Sequence, residues 1–360
     1  MTNIPSGELL TRSPANPLVT PEQVRPSRPD WTVDCTFNAG VVQVGDETIM
    51  LVRVAESVTH ADAGELRVPL LAAEGDTWRC TTKTLRTDDP AYDFTDPRMV
   101  ALRADPAQVY LTSLSHLRLA RSRDGTAFVV DDEPFLFPSN RYERFGCEDA
   151  RITTIEGRHY INYTAVSDLG IATALAVTDD FRSVERLGLI FSPDNRDVCL
   201  FPRRIDGSYW CLHRPAPRHL GTPEIWIARS PDLMHWGHHR RLAGAVPGGW
   251  EASKIGGGAP MLETDRGWLQ IYHGVDAAQR YSLGALLLDR DDPFIVRARL
   301  DRPLATPIEP YEKTGFFDNV LFTCGAVIVG DELRVYYGGA DRVMALGTVS
   351  LADLWTAMGV

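Results

Sequence analysis

Two adjacent carboxylates, Glu148 and Asp149, lie in the stretch RFGCEDARIT (144–153), directly before a run of residues that is typical of a β-strand. A carboxyl group beside a reacting bond can act as a general acid or base, and two carboxyl groups can divide these roles. Residue type alone therefore makes both side chains candidates for acid–base chemistry. The choice between them depends on where the rest of the chain places each one.

Strand-like segments recur at glycine-containing turns along the whole chain. Short alternating runs rich in Val, Ile, Leu, Tyr and Trp dominate, and long helical periodicity is nearly absent, which predicts an all-β fold. A strand that begins at a glycine occurs five times: GDETIMLVRV (45–54), GRHYINYTAV (157–166), GSYWCLHRPA (207–216), GWLQIYHGVD (267–276) and GDELRVYYGG (330–339). Repeats of about 50–60 residues made only of strands predict a β-propeller, here with five blades.

Each of these strands has a partner upstream that begins with a polar residue. In a propeller, the equivalent ends of the inner strands meet in one central pocket. The repeat therefore predicts that eight distant side chains converge: Asn38, Arg53, Asp149, Arg196, Arg214, Lys254, His273 and Tyr337. In this alignment Asp149, and not Glu148, shares its repeat position with Asn38 and Arg196.

The predicted pocket is rich in basic side chains. Positive charges gathered in a closed pocket repel one another unless an anion compensates them. Phosphate suits such a cluster, because Arg binds it through two parallel donors and Lys as a point charge. An inverting glycoside hydrolase needs a second carboxylate to activate water, whereas phosphate is itself a nucleophile. One acid beside a basic cluster favours phosphorolysis, although Asp197 and Glu251 are available as second carboxylates for a hydrolase.

The bulk composition excludes several classes of protein. The chain has 360 residues, of which 44% are hydrophobic, and a formal net charge of −11. This acidic balance argues against binding to nucleic acid or to an anionic membrane. The six cysteines show no CxxC pair and no metal-ligand spacing, and no stretch of eighteen apolar residues occurs. We expect a cytoplasmic protein with free thiols and no metal site.

Two segments stand apart from the repeat. Residues 1–30 are Pro-rich and are expected to wrap the outside of a single catalytic domain that spans residues 31–360. Residues 57–113 are long for one outer hairpin and predict an insertion or an extended hairpin on the first blade. The alternative is a sixth inner hairpin that begins at Asp96.

Five separated motifs resemble the mannoside phosphorylases of glycoside hydrolase family 130, which are five-bladed β-propellers. They are FNAG (37–40), GCEDARIT (146–153), RDVCLFPRRIDGSYWCLHRP (196–215), WEASKIGGGAPMLETDRGWLQIYHGVD (250–276) and YYGGAD (336–341). The family's acid motif, Glu-Asp-Pro-Arg, reads Glu148-Asp149-Ala150-Arg151 here. The motif FPRR carries Arg203 where the relatives often have Glu.

The resemblance implies a role for each matching residue. Asp149 would be the catalytic acid, and Glu148 and Arg151 would bind the substrate or support the acid. The phosphate ligands would be Arg196, Arg214, Lys254, His273 and Tyr281. The contacts of the mannosyl unit would be Asn38, Ala39, Arg53 and Asp341. Asp96-Pro97-Arg98 matches part of the acid motif but lacks the preceding Glu, so it ranks below Asp149.

The predicted function is an inverting phosphorylase, a hexosyltransferase that acts on β-1,2- or β-1,4-linked mannosides. Inorganic phosphate would be the co-substrate, no cofactor is implied, and α-mannose 1-phosphate would be the product. In the family, the proton is thought to pass through a hydroxyl of the mannosyl ring. The segment 110–122 is expected to line the acceptor side, with His116 and Arg121 as substrate contacts. An inverting β-mannosidase and a non-catalytic carbohydrate-binding propeller are the alternatives, and a homo-oligomer is left open.

Overall fold

Strands account for most of the regular structure of this protein, in agreement with the predicted all-β class. The computed structural model describes residues 8–59, 62–217 and 219–360, so residues 1–7 of the predicted wrapping segment lie outside the described residues. The strands are, in chain order, β1 (Thr11–Arg12), β2 (Trp31–Val44), β3 (Glu47–Val58), β4 (Glu65–Glu74), β5 (Thr77–Arg86), β6 (Tyr92–Asp93), β7 (Met99–Leu102), β8 (Asp105–Leu111), β9 (Leu114–Ser122), β10 (Val129–Val130), β11 (Gly146–Ile155), β12 (Arg158–Ser167), β13 (Gly170–Thr178), β14 (Glu185–Phe191), β15 (Asn195–Leu200), β16 (Tyr209–Pro215), β17 (Ile225–Ser230), β18 (Gly237–Ala243), β19 (Lys254–Gly257), β20 (Leu262–Thr264), β21 (Gly267–Val275), β22 (Tyr281–Leu288), β23 (Val296–Arg299), β24 (Leu321–Val329), β25 (Glu332–Gly339) and β26 (Val343–Ser350).

Helices are short wherever the structure describes the chain. The α-helices are α1 (Pro310–Lys313) and α2 (Leu351–Met358), and single 3₁₀ turns span Pro21–Gln23 and Arg141–Glu143. No helix among the described residues is both long and apolar enough to cross a membrane.

The strands form four larger sheets and two small ones within the described parts of the chain. The largest follows the order β14-β13-β12-β11-β9-β3-β2, with β10 beside β9. The second follows β15-β16-β17-β18, and the third follows β19-β21-β22-β23, with β20 beside β21. The fourth follows β1-β26-β25-β24, so the beginning of the described chain pairs with its last strand. Sequence neighbours within these sheets are antiparallel hairpins.

The glycines that start the repeated segments lie at the hairpin turns. Gly45, Gly157, Gly207 and Gly330 have φ values of 57°, 83°, 72° and 64°, in the left-handed region that a side chain disfavours. Each of these turns reverses the chain between two neighbouring strands of one sheet. The prediction that these glycines lie at turns between strands is therefore confirmed.

The first strand of several hairpins contains a β-bulge, and the bulges position polar residues. The pairing register shifts between Phe37 and Gly40 in β2, between Glu148 and Arg151 in β11, and between Arg196 and Cys199 in β15. The bulged residues Asn38, Asp149 and Asp197 have φ values of 49°, 48° and 57°. A bulge re-aims a side chain out of the regular pleat. The predicted alignment was therefore wrong by one residue in the third repeat, because Asp197 and not Arg196 matches Asn38 and Asp149.

The segment between β3 and β9 forms the two small sheets. Strands β4 and β5 pair with each other, and β6, β7 and β8 form a separate three-stranded sheet. The alternative of a sixth inner hairpin is not what forms, since residues 99–111 join none of the larger sheets.

Candidate active site

A polar pocket of about 340 Å³ collects side chains from all four larger sheets. The predicted residues that line it are Asn38, Arg53, Glu148, Asp149, Arg196, Arg214, Lys254, His273, Tyr281 and Asp341. The structure thus brings together residues that are separated by up to three hundred positions in the sequence. The pocket has two chemically different ends.

One end, which we call the carboxylate end, contains Asn38, Arg53, Glu148, Asp149 and Asp341. Arg53 donates from Nη2 to Glu148 at 2.7 Å and from Nη1 to Asp149 at 2.9 Å. The amide of Asn38 donates to the same Asp149 oxygen at 3.1 Å. Arg53 itself is fixed by Ser115 Oγ at 3.0 Å and by the ring of Phe37. One guanidinium therefore orients both of the adjacent carboxylates.

Two carboxyl groups at the carboxylate end, those of Glu148 and Asp341, have raised pKa values. Burial raises the pKa of Glu148, and the neighbouring Asp149 adds to this effect while Arg53 opposes it. Burial likewise raises the pKa of Asp341 to about 7, with Arg53 again opposing and Asp149 and Glu148 adding to the shift. Three carboxyl groups that share one arginine cannot all ionise at low cost.

The other end, which we call the cation end, contains Arg196, Asp197, Arg214, Lys254, His273 and Tyr281. Arg214 Nε donates to Asp197, Arg151 approaches the same carboxylate at 3.4 Å, and the Nε2 atom of His273 lies 3.6 Å from it. Burial alone would raise the pKa of Asp197, but Arg214, His273 and Arg151 hold it well below its usual range. Asp197 is therefore an ionised, fully buried counter-charge.

The cations at this end are held without full compensation. Burial, and then the charge of Arg214, lowers the pKa of Lys254 to about 8, and burial lowers the pKa of His273 to about 3. Lys254 Nζ donates to Tyr281 Oη at 2.6 Å. The Nε atom of Arg196 and the Nδ1 atom of His273 are buried and have no hydrogen-bond partner among the described residues. A buried guanidinium nitrogen that lines a pocket and has no partner is able to donate to a ligand bound there.

Close approach of the chain helps to build the cation end. A Cβ atom at Gly256 would collide with Asp197 Oδ2, His273 and Arg214. Only glycine allows β19 to pass this close to the buried carboxylate. The motif KIGGG therefore contributes by leaving room as well as by supplying Lys254.

Comparison with known proteins identifies the family. A family model described as beta-1,4-mannooligosaccharide phosphorylase matches residues 107–358, which is more than half of the chain.

The chain belongs to glycoside hydrolase family 130.

Relatives within family 130 match over most of their length. A beta-1,2-mannobiose phosphorylase of Listeria innocua serovar 6a is 45% identical over 340 residues, covering 94% of this chain and 95% of the relative. A 1,2-beta-oligomannan phosphorylase of a Thermoanaerobacter species is 37% identical over 252 residues, covering 69% of this chain and 83% of the relative.

Solved structures agree with this assignment. The Listeria innocua beta-1,2-mannobiose phosphorylase in complex with beta-1,2-mannobiose superimposes with a TM-score of 0.92 at 43% identity, covering 97% of this chain and 99% of the other. A structure from work on family 130 hydrolases that target beta-1,2 mannosidic linkages has a TM-score of 0.72 at 21% identity, covering 96% of this chain and 95% of the other. At that identity the second match shows the fold alone.

Some residues assigned through the family 130 motifs lie outside the pocket lining. The Arg151 guanidinium is fully buried and donates to the carbonyl oxygens of Asp149, Gly257 and Gly258 at 2.9–3.1 Å. It braces the bulge of Asp149 and does not face a substrate. Ala39 is also fully buried, and its methyl group packs into the hydrophobic core.

The two predicted acceptor contacts also lie elsewhere. His116 is completely buried, with its Nε2 atom 3.4 Å from Glu56, and burial lowers the pKa of its ring. Arg121 reaches the carbonyl oxygen of Phe181 at 3.2 Å and lies 3.8 Å from Glu47. The expectation that these two residues contact substrate is corrected, because neither lines the pocket.

The prediction that Tyr337 reaches the central pocket is also wrong. Its hydroxyl donates to the buried Glu312 at 2.7 Å. The same arrangement occurs between Tyr163 and Glu143 at 2.6 Å. These pairs are repeated structural features, and Tyr337 has no place in the pocket lining.

The structure adds two charged residues to the pocket lining predicted from the sequence. Asp197 had been considered only as a hydrolytic second carboxylate, and its position on a bulge became visible only through the strand register. Arg98 lines the pocket even though it lies in the insertion. Its neighbour Asp96 forms an ion pair with it at 2.8 Å, and this hydrogen bond lowers the pKa of Asp96. Asp96 is thus suited to hold Arg98 and unsuited to donate a proton.

Proposed function

We propose that this protein is an inverting phosphorylase that cleaves β-1,2-linked manno-oligosaccharides with inorganic phosphate, giving α-mannose 1-phosphate and a shortened sugar. The family supports the reaction class, and the extensive similarity to a beta-1,2-mannobiose phosphorylase supports the linkage. A β-1,4-linked substrate is the other linkage represented among the named relatives.

The charge at the cation end is the observation that carries this proposal. Arg196, Arg214 and Lys254 face a single carboxylate, Asp197. Because Arg151 also lies 3.4 Å from Asp197, the positive charges at this end outnumber its single carboxylate, which favours a multiply charged anion such as hydrogen phosphate. The partnerless Nε of Arg196 supplies a donor for a phosphate oxygen, and the partnerless Nδ1 of the neutral His273 ring can accept from the hydroxyl of hydrogen phosphate.

The reaction follows from the separation of the two ends. Phosphate bound at the cation end attacks the anomeric carbon, and the new C–O bond forms on the face opposite to the breaking glycosidic bond. Asp149 supplies the proton that the leaving oxygen needs, relayed through a hydroxyl of the mannosyl ring. The β-mannoside thereby becomes the α-phosphate. The C–O bond to phosphate forms and the glycosidic C–O bond breaks, while one proton passes from Asp149 to the ring hydroxyl and the proton of that hydroxyl passes to the leaving oxygen.

The mannosyl unit is expected to occupy the carboxylate end. Asn38 Oδ1 is buried and has no hydrogen-bond partner among the described residues, so it can accept from a sugar hydroxyl. Asp341 and Glu148 provide further acceptors there. Glu148 shares Arg53 with Asp149 and serves in this account to bind hydroxyls rather than to protonate the leaving group.

Hydrolysis by the same fold would need a free second carboxylate. Asp197 is occupied by Arg214, Arg151 and His273, as described above. Glu251 accepts from Tyr272 at 2.7 Å and pairs with Arg299, and it is not among the residues of the pocket lining. Both carboxylates considered for water activation are therefore committed to other partners.

We also infer that the four larger sheets make up five blades of a β-propeller in a single catalytic domain of residues 31–360. The largest sheet would contribute two blades, because only one parallel bridge, Gly146 with Ser115, joins its halves. The entry of side chains from all four larger sheets into one pocket supports a central axis. We further propose a cytoplasmic enzyme that needs phosphate but no cofactor, since phosphate is abundant there and the sugar phosphate is retained.

Product analysis tests the proposal. Incubation of the enzyme with β-1,2-mannobiose and phosphate should give equimolar mannose and α-mannose 1-phosphate, observable by phosphorus and proton nuclear magnetic resonance. Formation of the β-anomer would refute inversion, and formation of two mannose molecules without a phosphate ester would refute phosphorolysis. β-1,4-Mannobiose assayed in parallel decides the linkage.

A further inference from the structure

Three polar side chains form a hydrogen-bonded row next to the cation end, which we call the histidine row: Asn195, His213 and His239. The Nδ2 atom of Asn195 lies 3.0 Å from Nδ1 of His213, and Nε2 of His213 lies 3.1 Å from Nδ1 of His239. Asn195 and His213 are 9% and 3% exposed, whereas His239 is exposed on β18. None of the three is among the residues of the pocket lining. The row therefore leads from the surface into the interior without reaching the substrate.

The histidine row is attached to the two strands that carry Arg196 and Arg214. Asn195 precedes Arg196 on β15, His213 precedes Arg214 on β16, and the two arginines pair directly in the ladder. Neighbouring residues of a strand point to opposite faces, so the Asn195–His213 hydrogen bond lies behind the arginines. The carbonyl oxygen of Asn195 also accepts from Thr173 Oγ1 at 3.2 Å. The backbone at the arginines is thus fastened by side chains on the face away from the pocket.

Arg196 and Arg214 are like charges that must stay close together. Burial, and then the charge of Arg214, lowers the pKa of Arg196. Arg214 is held by Asp197, whereas the Nε atom of Arg196 has no hydrogen-bond partner among the described residues. The backbone of β15 therefore contributes strongly to the placement of Arg196, and whatever fastens β15 to β16 sets the spacing of the two guanidinium groups.

The hydrogen bonds of the row fix the state of the His213 ring. An amide nitrogen can only donate, so Nδ1 of His213 accepts from Asn195, and the neutral ring carries its proton on Nε2 and donates it to His239. Burial, and then the charge of His239, lowers the pKa of His213 to about 3, which keeps the ring neutral. Phe191 stacks on this ring with a centroid distance of 4.7 Å and fixes its plane.

The equivalent position in the neighbouring repeat has a charged anchor. His213 lies opposite the bulge at Asp197, and Tyr163 lies opposite the bulge at Asp149. Tyr163 donates at 2.6 Å to the buried carboxyl group of Glu143. A carboxylate at the corresponding place behind the arginines would offset part of the positive charge that attracts phosphate. The neutral histidine row joins the strands there without adding a negative charge.

We propose that Asn195 and His213 are positioning residues of the phosphate site, which hold Arg196 and Arg214 at the spacing that one phosphate ion requires. The inference rests on the proposed phosphorylase function. Neither residue touches phosphate, and both act through the strand backbone. Asn195 Oδ1 is buried and has no hydrogen-bond partner among the described residues, so this oxygen offers the amide no second anchor when His213 is replaced.

Steady-state kinetics of phosphorolysis test the role of His213. His213→Leu keeps an apolar side chain against Phe191 but removes both hydrogen bonds, so it should raise the KM for phosphate about tenfold and leave the mannoside KM within about twofold. His213→Asn restores an acceptor near Nδ1 and should recover part of the loss. Tyr163→Phe, which removes one buried hydrogen bond at the equivalent position, is the matched control and should leave the phosphate KM unaltered.

A double-mutant cycle tests whether the two residues act through one hydrogen bond. Asn195→Ala should raise the phosphate KM about as much as His213→Leu does, and the double variant should be no worse than either single variant. Fully additive increases would overturn the shared role. If His213→Leu does not fold, Asn195→Ala and His213→Asn decide, because an unchanged phosphate KM in both would overturn the inference.

The outcomes separate this inference from the proposed function. An unchanged phosphate KM in His213→Leu, or an equal rise in the phosphate and mannoside KM values, would overturn the positioning role while phosphorolysis by the wild type stands. If the wild-type protein shows no phosphate-dependent cleavage, the proposed function fails, and calorimetric titration with inorganic phosphate decides the positioning role. Weaker phosphate binding to His213→Leu than to wild type would support it. Equal binding, or no binding to the wild type, would overturn it.

Discussion

Asp149 and Asp197 lie on equivalent bulges of two neighbouring repeats, yet their surroundings differ. Asp197 is 3% exposed and is surrounded by Arg214, Arg151 and His273. Asp149 is 17% exposed in its side chain and shares Arg53 with Glu148. The same kind of β-bulge thus carries two different carboxylates. Asp197 is fixed as a counter-charge, and Asp149 remains available to a substrate.

This difference teaches how one repeat can serve both halves of a reaction. Around Asp197, cations exceed carboxylates, and the site is ready for an anion. Around Asp149, carboxylates exceed cations, and burial raises the pKa of the neighbouring Glu148 and Asp341. The bulge supplies the direction of the side chain, and the neighbouring strands supply its charge environment.

The largest effect is expected from removal of the available carboxylate. Asp149→Asn should lower kcat by about 10³-fold, because the leaving oxygen loses its proton source. The free energy of unfolding should change by less than about 1 kcal/mol, since repulsion with Glu148 and Asp341 is relieved at the same time. Steady-state kinetics and chemical denaturation measure both quantities.

Glu148→Gln is the matched variant for this prediction. It should reduce kcat far less than Asp149→Asn and act mainly on the KM for the mannoside. A greater loss of kcat in Glu148→Gln would exchange the roles of the two adjacent residues.

Replacement of Asp197, the carboxylate that is fixed as a counter-charge, should instead lower the stability of the fold. Asp197→Asn should lower the free energy of unfolding by about 3–5 kcal/mol, because the buried guanidinium groups of Arg214 and Arg151 lose their counter-charge. Urea denaturation of Asp197→Asn and Asp149→Asn side by side provides the measurement. Equal free energies of unfolding for the two variants would contradict the different roles assigned to Asp197 and Asp149.

The cation end should show its specificity for phosphate in a third variant. Lys254→Met should raise the KM for phosphate by about 10- to 100-fold, because one charge-assisted contact is lost. The KM for the mannoside should stay close to the wild-type value. If the mannoside KM rises and the phosphate KM does not, the two ends of the pocket have been assigned the wrong way round.

The pH dependence of phosphate use follows from the lowered pKa of Lys254. A cation with a pKa of about 8 is charged below that value and loses its charge as the pH rises through it. The kcat/KM for phosphate should therefore decline above about pH 8. Lys254→Arg should move this decline to higher pH, and comparison of the two enzymes cancels the ionisation of phosphate itself. Identical profiles would show that Lys254 does not control the alkaline limb.

The smallest effect is expected outside both ends of the pocket. Arg203 pairs with Glu263 at 2.8 Å on the surface and lies over the Trp268 ring. Arg203→Ala should change the free energy of unfolding by less than about 1 kcal/mol and leave both KM values unaltered. A clear loss of activity in Arg203→Ala would extend the site beyond the pocket.

Local sequence patterns were sufficient to predict the strands and much of the pocket. Glycine turns and alternating runs predicted the all-β class, and the motifs around Asp149, Arg214 and Lys254 predicted residues that do converge. The pattern could not show which residue of a strand is bulged, because a bulge changes the register without changing the composition. This is why Arg196 was aligned with Asp149 in place of Asp197.

The remaining errors concern side-chain direction and contacts between distant segments. On β9, His116 and Arg121 lie near the expected region but do not face the pocket. Arg98 reaches the pocket only because the segment between β3 and β9 folds back over it, and no local pattern encodes that long-range contact. Sequence periodicity therefore predicts a strand well, but it does not predict which distant segment will contact that strand.

The phosphate dependence of cleavage tests the central claim most directly. Initial rates of β-1,2-mannobiose cleavage, measured over a series of phosphate concentrations in a phosphate-free buffer, should saturate with phosphate and extrapolate to zero in its absence. Lys254→Met should shift this curve to higher phosphate concentrations. A rate that is independent of phosphate, with mannose as the sole product, would contradict the account and identify the protein as a hydrolase.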